Sequence, residues 1–333
     1  MHYIFLAYIV LILSLSVYFK KKKYFSNYSG DKHQLTTNEN NVPLTGGIFL
    51  IIPTILINPN NFILNFLLIL IFLIGFFSDR KILKSPILRF VLQLIIILSC
   101  VIFLNLEILS SRIDFFDNIL KNAYFNLFFT VFCLLILING SNFIDGLNSL
   151  LISYLTIVIY ILINLNFVPE IIYFENNLNY FFLFLLFLIV LNFNNLLMLG
   201  DAGAYLLSFF VGYLIIKSHN IYIDVSPYFY INLIWLPCFE NLFSIIRKLL
   251  SKFSPLAPDS NHLHQLIFKS INRKIVKKKL IANNFSSILI NCFNFLALYF
   301  VAIDPYNTIY QIKLTFLFII CYFLLFFLLK NET

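Results

Sequence analysis

The chain has 333 residues, of which 61% are hydrophobic and only 11% charged; it carries 41 Phe, and its formal net charge is +8. A mean hydropathy of +0.91 leaves too little polar surface to cover a water-soluble globule, so the composition excludes a soluble domain and indicates an all-α polytopic membrane bundle.

A hydrocarbon core about 30 Å thick takes about 20 apolar residues per helix. Eleven apolar runs qualify as expected spans, roughly at 3–19, 43–58, 62–78, 87–106, 122–138, 147–168, 178–194, 203–217, 226–246, 284–303 and 311–329. The second and eighth are short enough to be tilted, half-inserted or merged with a neighbour. The first lacks a basic segment before its apolar run, and Lys20 to Lys23 follow it, so it is expected to be a retained helix instead of a cleaved signal.

Basic residues in short loops stay on the cytoplasmic side. With an outer N-terminus and eleven spans, all of the 23 Lys and Arg fall inside except Arg112, Lys121, Lys217 and Lys313. The C-terminus is then cytoplasmic, and residues 1–333 form one integral-membrane domain with a long cytoplasmic loop at 247–283. The basic segment INRKIVKKKL in that loop lacks interleaved aromatics, so anionic lipid is its expected partner and nucleic acid is not. Cys100, Cys133, Cys238, Cys292 and Cys321 are scattered singly through apolar runs, with neither disulfide nor zinc spacing.

Three inner connections hold acids that charge anchoring does not explain. The first is GFFSDRKILKSP with Asp79, the second INGSNFIDGLNSLL with Asp145, and the third NFNNLLMLGDAGAYLLSFF with Asp201. An ionisable residue facing hydrocarbon costs about 2.5–3.5 kcal/mol on insertion scales, so it is kept where it has a partner or a wet cavity. Carboxylates without nearby cations suit a hard divalent ion, which is commonly held by one or two carboxylates and substrate phosphates. Asp79, followed at once by Arg80 and Lys81, is equally well read as a helix cap or half of an ion pair.

Gly200 and Gly203 bracket Asp201 and let backbone approach a ligand, and a helix starting there presents free N–H groups to phosphate. Asn139, Asn142 and Asn148 supply donors and acceptors suited to a nucleobase or sugar amide, although capping and inter-helix bonding is the plainer reading for Asn148. Asn142 and Asp145 share a face if the helix continues that far. In SPLAPDSNHLHQLIF, His262 and His264 lack the further ligands that zinc needs and fit a phosphate or sugar contact better. Arg247 is placed to neutralise phosphate, with Glu240 near enough in sequence to orient it, while Lys248 reads as an anchor. In NNVPLTGGIFL, Pro43, Gly46 and Gly47 indicate a tight turn or close packing.

Taken in order, VPLTGG at 42–47, SDR at 78–80, NGSNFIDGLN at 139–148, GDAG at 200–203 and PDSNHLH at 258–264 resemble the polyprenyl-phosphate N-acetylhexosamine-1-phosphate transferase family over about residues 40–270. The resemblance implies transfer of a HexNAc-1-phosphate from a UDP-sugar to undecaprenyl phosphate, with release of UMP, as a first membrane step of envelope polysaccharide synthesis. It implies magnesium, with manganese as the alternative ion. It also implies a bacterial inner-membrane location with the site on the cytoplasmic face; a homodimer is compatible with it.

Carried over, Asp201 is the principal metal ligand, assisted by Asp79. Asp145 and Asn142 lie near the uridine end of the donor, and His262 and His264 near its phosphates or sugar. The chain departs from the family at Ser78, where a first acid is usual, at Asn148-Ser149, where a second Asp-Gly is common, and at Gln265, where a third histidine occurs. Two other classes compete. An ion-coupled transporter would carry its acids near the midplane of interrupted helices. A CDP-alcohol phosphotransferase shares the Asp145-Gly146 pair but has further aspartates and an Ala-Arg that are absent here.

Overall fold

The computed structural model describes residues 2–26, 42–168, 175–252, 254 and 261–332. In chain order the helices are α1 (His2–Lys22), α2 (Gly46–Ile57), α3 (Phe62–Asp79), α4 (Pro86–Phe103), α5 (Asp114–Leu120), α6 (Ala123–Ile144) and α7 (Leu150–Asn164). They continue with α8 (Glu175–Phe193), α9 (Gly200–Ile221), α10 (Pro227–Leu233), α11 (Trp235–Leu250), α12 (Leu263–Lys274), α13 (Lys279–Ile303) and α14 (Thr308–Glu332). Among the described residues there is no strand beyond isolated bridges, so the expected all-α class holds.

Each of the eleven expected spans contains a helix, but the lengths differ from the expectation. Among the described residues, α3, α4, α6, α9, α13 and α14 are long and apolar enough to cross a membrane. The α10–α11 pair makes a seventh if its two arms, bent by 78°, count as one span. Gly46–Ile57, Leu150–Asn164 and Leu178–Phe193 are shorter apolar helices. Among the described residues, six or seven crossings are thus supported by length and composition.

The ninth expected span is divided where the helical register breaks at Ile234. Pro237, in the first turn of α11, has no N–H to give to Leu233, and its ring would collide with that carbonyl in a continuous helix.

The hub is α9. In its spanning window 83% of residues are buried, against 17% for α14, and it packs against α2, α3, α6 and α7. Small residues let backbones approach in a bundle that has no hydrophobic effect to drive lipid-facing helices together. A Cβ on Gly47 would stand 2.5 Å from the Gly203 nitrogen, and one on Gly46 would stand 2.7 Å from Leu199 Cα. One on Gly75 would collide with the Ala202 backbone.

The VPLTGG segment therefore serves the start of α9 directly. Gly46 N–H donates to Met198 O at 2.8 Å, Met198 N–H to Pro43 O at 2.8 Å and Gly47 N–H to Leu199 O at 3.2 Å. The expectation of close packing there holds, and its object is the GDAG turn. Gly47→Val would force α2 off α9 and is expected to cost about 1–3 kcal/mol, read as a lower Tm of the detergent-solubilised protein. An unchanged Tm would mean that the two helix ends are not held in this contact.

Candidate functional site

The site forms where α3 and α6 end and α9 and α12 begin. α9 opens abruptly: Gly200 has a left-handed φ of +71°, and its neighbour Leu199 provides no side-chain cap. A helix start leaves N–H donors unsatisfied. Asp79, the last residue of α3, fills that need from another helix: Asp201 N–H donates to its Oδ1 at 2.9 Å and Ala202 N–H to its Oδ2 at 3.0 Å. A Cβ on Gly200 would stand 2.6 Å from Asp79 Oδ2, so the glycine serves both the turn and the approach of the carboxylate. Of the two readings left open for Asp79, the structure takes the cap.

Asp201 points its side chain back toward α3 and α4. Its Oδ2 accepts from Ser78 Oγ at 2.6 Å and from the Arg89 guanidinium at 3.0 Å, and Arg89 also donates to Ser78 Oγ at 2.7 Å. Asp201 has no cation near it in sequence, as expected, but it has a cation partner 112 residues away, on α4. Ser78, where the family commonly has an acid, is the hinge of this triad. Arg89 and Gln93 are four apart on α4 and so share a face. Gln93 Oε1 accepts from Asn139 Nδ2 at 3.2 Å, which commits Asn139 to holding α6 on α4. A lone Arg and Gln inside PILRFVLQLI was the signal available, by the same cost of polar groups in an apolar run that singled out the acids.

Asp145 caps the C-terminal end of α6, which continues to Ile144, so Asn142 lies on its face as expected. Among the described residues neither side chain makes a hydrogen bond. Burial first, and then the like charges of Asp201 and Asp79, push the Asp145 carboxyl well above the usual carboxylate range. The three acids thus share one site, and Asp145 is the one left without compensation.

His264 closes the site from the other side. A Cβ on Gly146 would stand 2.6 Å from its Nε2, and both ring nitrogens are buried without a hydrogen-bond partner. Burial and the neighbouring His262 lower its pKa to about 3, so it is neutral at pH 7 and offers one donor and one acceptor. The His262 ring lies 5.8 Å from that of His264 and 5.1 Å from that of Phe143. Gln265 Oε1 accepts from His262 N–H at 3.3 Å, so the residue found in place of a third histidine caps α12. Residues 258–260 of the PDSNHLH motif lie outside the described residues.

Two expected site residues, Asn148 and Arg247, make other contacts. Asn148 is 4% exposed; its Nδ2 donates to Asn195 Oδ1 at 2.8 Å and Asn284 Oδ1 at 2.9 Å, and its N–H to Asn283 Oδ1 at 2.8 Å. It belongs to an asparagine cluster that joins the start of α7 to α8 and α13. Ser149 beside it holds a left-handed φ of +58°, the conformation a glycine favours, and is kept there by Ser149 N–H donating to Asn192 Oδ1 at 2.7 Å. Arg247 donates to Asn261 O at 2.8 Å and lies over the rings of Phe243 and Phe326. Glu240 does not orient it; Glu240 is bonded to His262 at 2.8 Å. Lys248, read as an anchor, is buried with its ammonium 5.7 Å from the Phe143 ring.

The donor set fits a divalent cation that keeps most of its water. Among the described residues no group of three His, Cys, Asp or Glu is close enough to hold a metal by itself. Magnesium asks for only one or two carboxylates beside substrate phosphates. Asp145, unpartnered and facing two other carboxylates, and the Oδ1 of Asp201, which Ser78 and Arg89 leave open, meet that need. Asp79 has each of its oxygens engaged by one N–H of α9.

Two stability experiments separate these roles. Asp79→Ala removes the cap and is expected to cost about 0.5–2 kcal/mol, with Asp79→Asn much milder; equal losses in both would count against capping. Because the folded-state pKa of Asp145 is raised, its contribution favours folding at low pH and is lost as pH rises from the ordinary carboxylate value through the raised one. With divalent ions chelated, Asp145→Asn should melt above wild type at pH 7, the gap closing near pH 4. A gap that stays constant with pH would sink this account.

No curated protein matches the chain. Residues 61–219 match the model of glycosyl transferase family 4, a region that contains Asp79, Asp145 and Asp201 and ends before Glu240 and the two histidines. Over residues 61–219 the chain is therefore similar to glycosyl transferase family 4, a likeness that supports a membrane transferase of the polyprenyl-phosphate sugar-phosphate kind.

Proposed function

We propose that the chain transfers a HexNAc-1-phosphate from a UDP-sugar to undecaprenyl phosphate, releasing UMP, as a first membrane step of envelope polysaccharide synthesis. The observation that supports this reading is the uncompensated Asp145 carboxylate, set against Asp79 and Asp201 and closed over by the unpartnered imidazole of His264. A site with surplus negative charge and buried donors suits a magnesium-borne pyrophosphate better than it suits a neutral solute.

A phosphate oxygen of the lipid acceptor attacks the sugar-linked phosphorus of the donor. The new P–O bond forms as the bond to the UMP phosphate breaks, and UMP leaves. The acceptor has a second pKa of about 6 and is largely dianionic at pH 7, so no strong base is needed at position 78. Positioning and charge neutralisation carry most of such a transfer.

Magnesium, or manganese, bound by Asp201 and Asp145 would supply the charge neutralisation. Asp79 contributes through α9, whose N-terminus it holds in place. Arg89 supplies a cation beside Asp201, 3.0 Å from its Oδ2, and is the basic side chain at hand to meet phosphate. Asn142 offers the uracil or sugar amide a donor and an acceptor, and neutral His264 offers the same. Asn139 and Asn148 hold the walls instead of the donor. In the positive-inside arrangement, the site faces the cytoplasm from the bacterial inner membrane, where UDP-sugars are dissolved and the prenyl tail of the acceptor lies in lipid.

Membranes from expressing cells, given undecaprenyl phosphate, magnesium and UDP-HexNAc donors labelled in the β-phosphate, should move label into lipid and release UMP. Asp201→Asn should cut that transfer at least about 100-fold, the size expected when several kcal/mol of charge stabilisation are lost. Lack of transfer across a panel of UDP-HexNAc donors would overturn the proposal, and near-normal turnover in Asp201→Asn would remove that residue from the ion.

A further inference from the structure

Beyond the three acids, a hydrogen-bonded chain runs from the site to the last helix. Glu240 on α11 is 1% exposed, His262 4% and Tyr322 on α14 1%. One Glu240 oxygen, Oε1, lies 2.8 Å from His262 Nδ1 and accepts from Leu263 N–H at 3.3 Å. The other, Oε2, accepts from Tyr322 OH at 2.7 Å. A carboxylate sealed from water is kept only when it is fully bonded, and this one is.

These bonds alone would describe a staple joining α11, α12 and α14. What they hold points further. The His262 ring is stacked on His264, at an interplanar angle of 17°, and lies against Phe143. His264 in turn abuts Gly146. The clamped imidazole thus lies along the Phe143–Gly146 turn that carries Asp145. Since Glu240 takes Nδ1, the nitrogen left to meet a ligand is Nε2.

We infer that Glu240 is the positioning residue for His262: it holds hydrogen on Nδ1 and fixes the ring plane, so that Nε2 serves the donor phosphates, with Tyr322 locking the carboxylate from α14. The inference rests on the proposed function and adds to it a residue that does not touch substrate. A carboxylate that orients a histidine sets its tautomer and balances the charge of the imidazolium. With Nδ1–H given to Glu240, the ring donates to a phosphate oxygen through Nε2–H as the imidazolium, and Glu240 supplies the counter-charge. Sequence separations of 22 residues between Glu240 and His262 and 82 between Glu240 and Tyr322 hide the group from any local motif.

The test is a double-mutant cycle in the β-phosphate transfer assay, using full-length protein in detergent with its elution profile checked. Glu240→Gln keeps the shape and a hydrogen-bonding amide, so a staple would tolerate it. The expected result is a kcat about 10- to 100-fold lower with donor KM changed less than about threefold, and no further loss when Glu240→Gln is added to His262→Gln. A Glu240→Gln rate within twofold of wild type, or an equal loss in the His262→Gln background, overturns the inference.

Tyr322→Phe leaves the Glu240–His262 pair in place and removes one donor to the carboxylate. It should lower kcat by about 3- to 10-fold, again only where His262 is present. If Glu240→Gln does not yield monodisperse protein, an unchanged rate in Tyr322→Phe overturns the inference. A wild-type protein that transfers no label overturns the function and the inference with it, whereas an active wild type with additive losses overturns the inference alone.

Discussion

Two backbone N–H groups at the start of α9 organise this end of the molecule. A helix that begins without its own cap leaves donors facing an apolar surrounding, where each unsatisfied group costs several kcal/mol. Asp79 takes both from across the α3–α9 contact. That bond requires the end of α3 to lie against the start of α9, and Gly75, Gly47 and Gly46 permit the approach. The glycines of α2 and α3, the left-handed Gly200 and the acid of the SDR motif are therefore parts of one device. Its product is a rigidly placed Asp201.

Three acids that look alike in sequence meet three fates. Asp79 is discharged into the positive end of the α9 dipole, and Asp201 is half-compensated by Arg89 with Ser78 as intermediary. Asp145 has no compensation among the described residues, and burial first, then the other two acids, raise its pKa. Stability and function pull in opposite directions at Asp145. A structure selected for stability alone would place an asparagine there, and an unpaired acid is what a cation carrying a pyrophosphate would complete.

Opposite the acids, the same logic applies to imidazoles. His262 is clamped through Nδ1, while His264 is buried, neutral and unbonded at both nitrogens. A buried polar group without a partner costs about 1–3 kcal/mol, and two histidines one residue apart carry that cost unequally because only His262 reaches Glu240. Nothing in NHLH distinguishes them; the difference comes from α11 and α14, which arrive from elsewhere in the chain.

The sequence by itself determined the class, the position of each apolar helix and the turns where polar residues collect. Those follow from composition and from the cost of charge in hydrocarbon, which are local properties. It also marked Gly46, Gly47 and Gly200 as places of close approach and favoured a non-catalytic role for Asn148. Only the tertiary structure decided that Asp79 caps α9, that Asp201 pairs with Arg89, that Asn139 and Asn148 brace helices, and that Glu240 serves His262 instead of Arg247. It also decided that the helix breaks near Pro237 and that the apolar runs at 43–58, 147–168 and 178–194 hold the shorter helices. Each of these depends on which residue of a distant helix comes within about 3 Å of a given polar atom. Hydrophobic periodicity fixes a face but not the partner that face will meet.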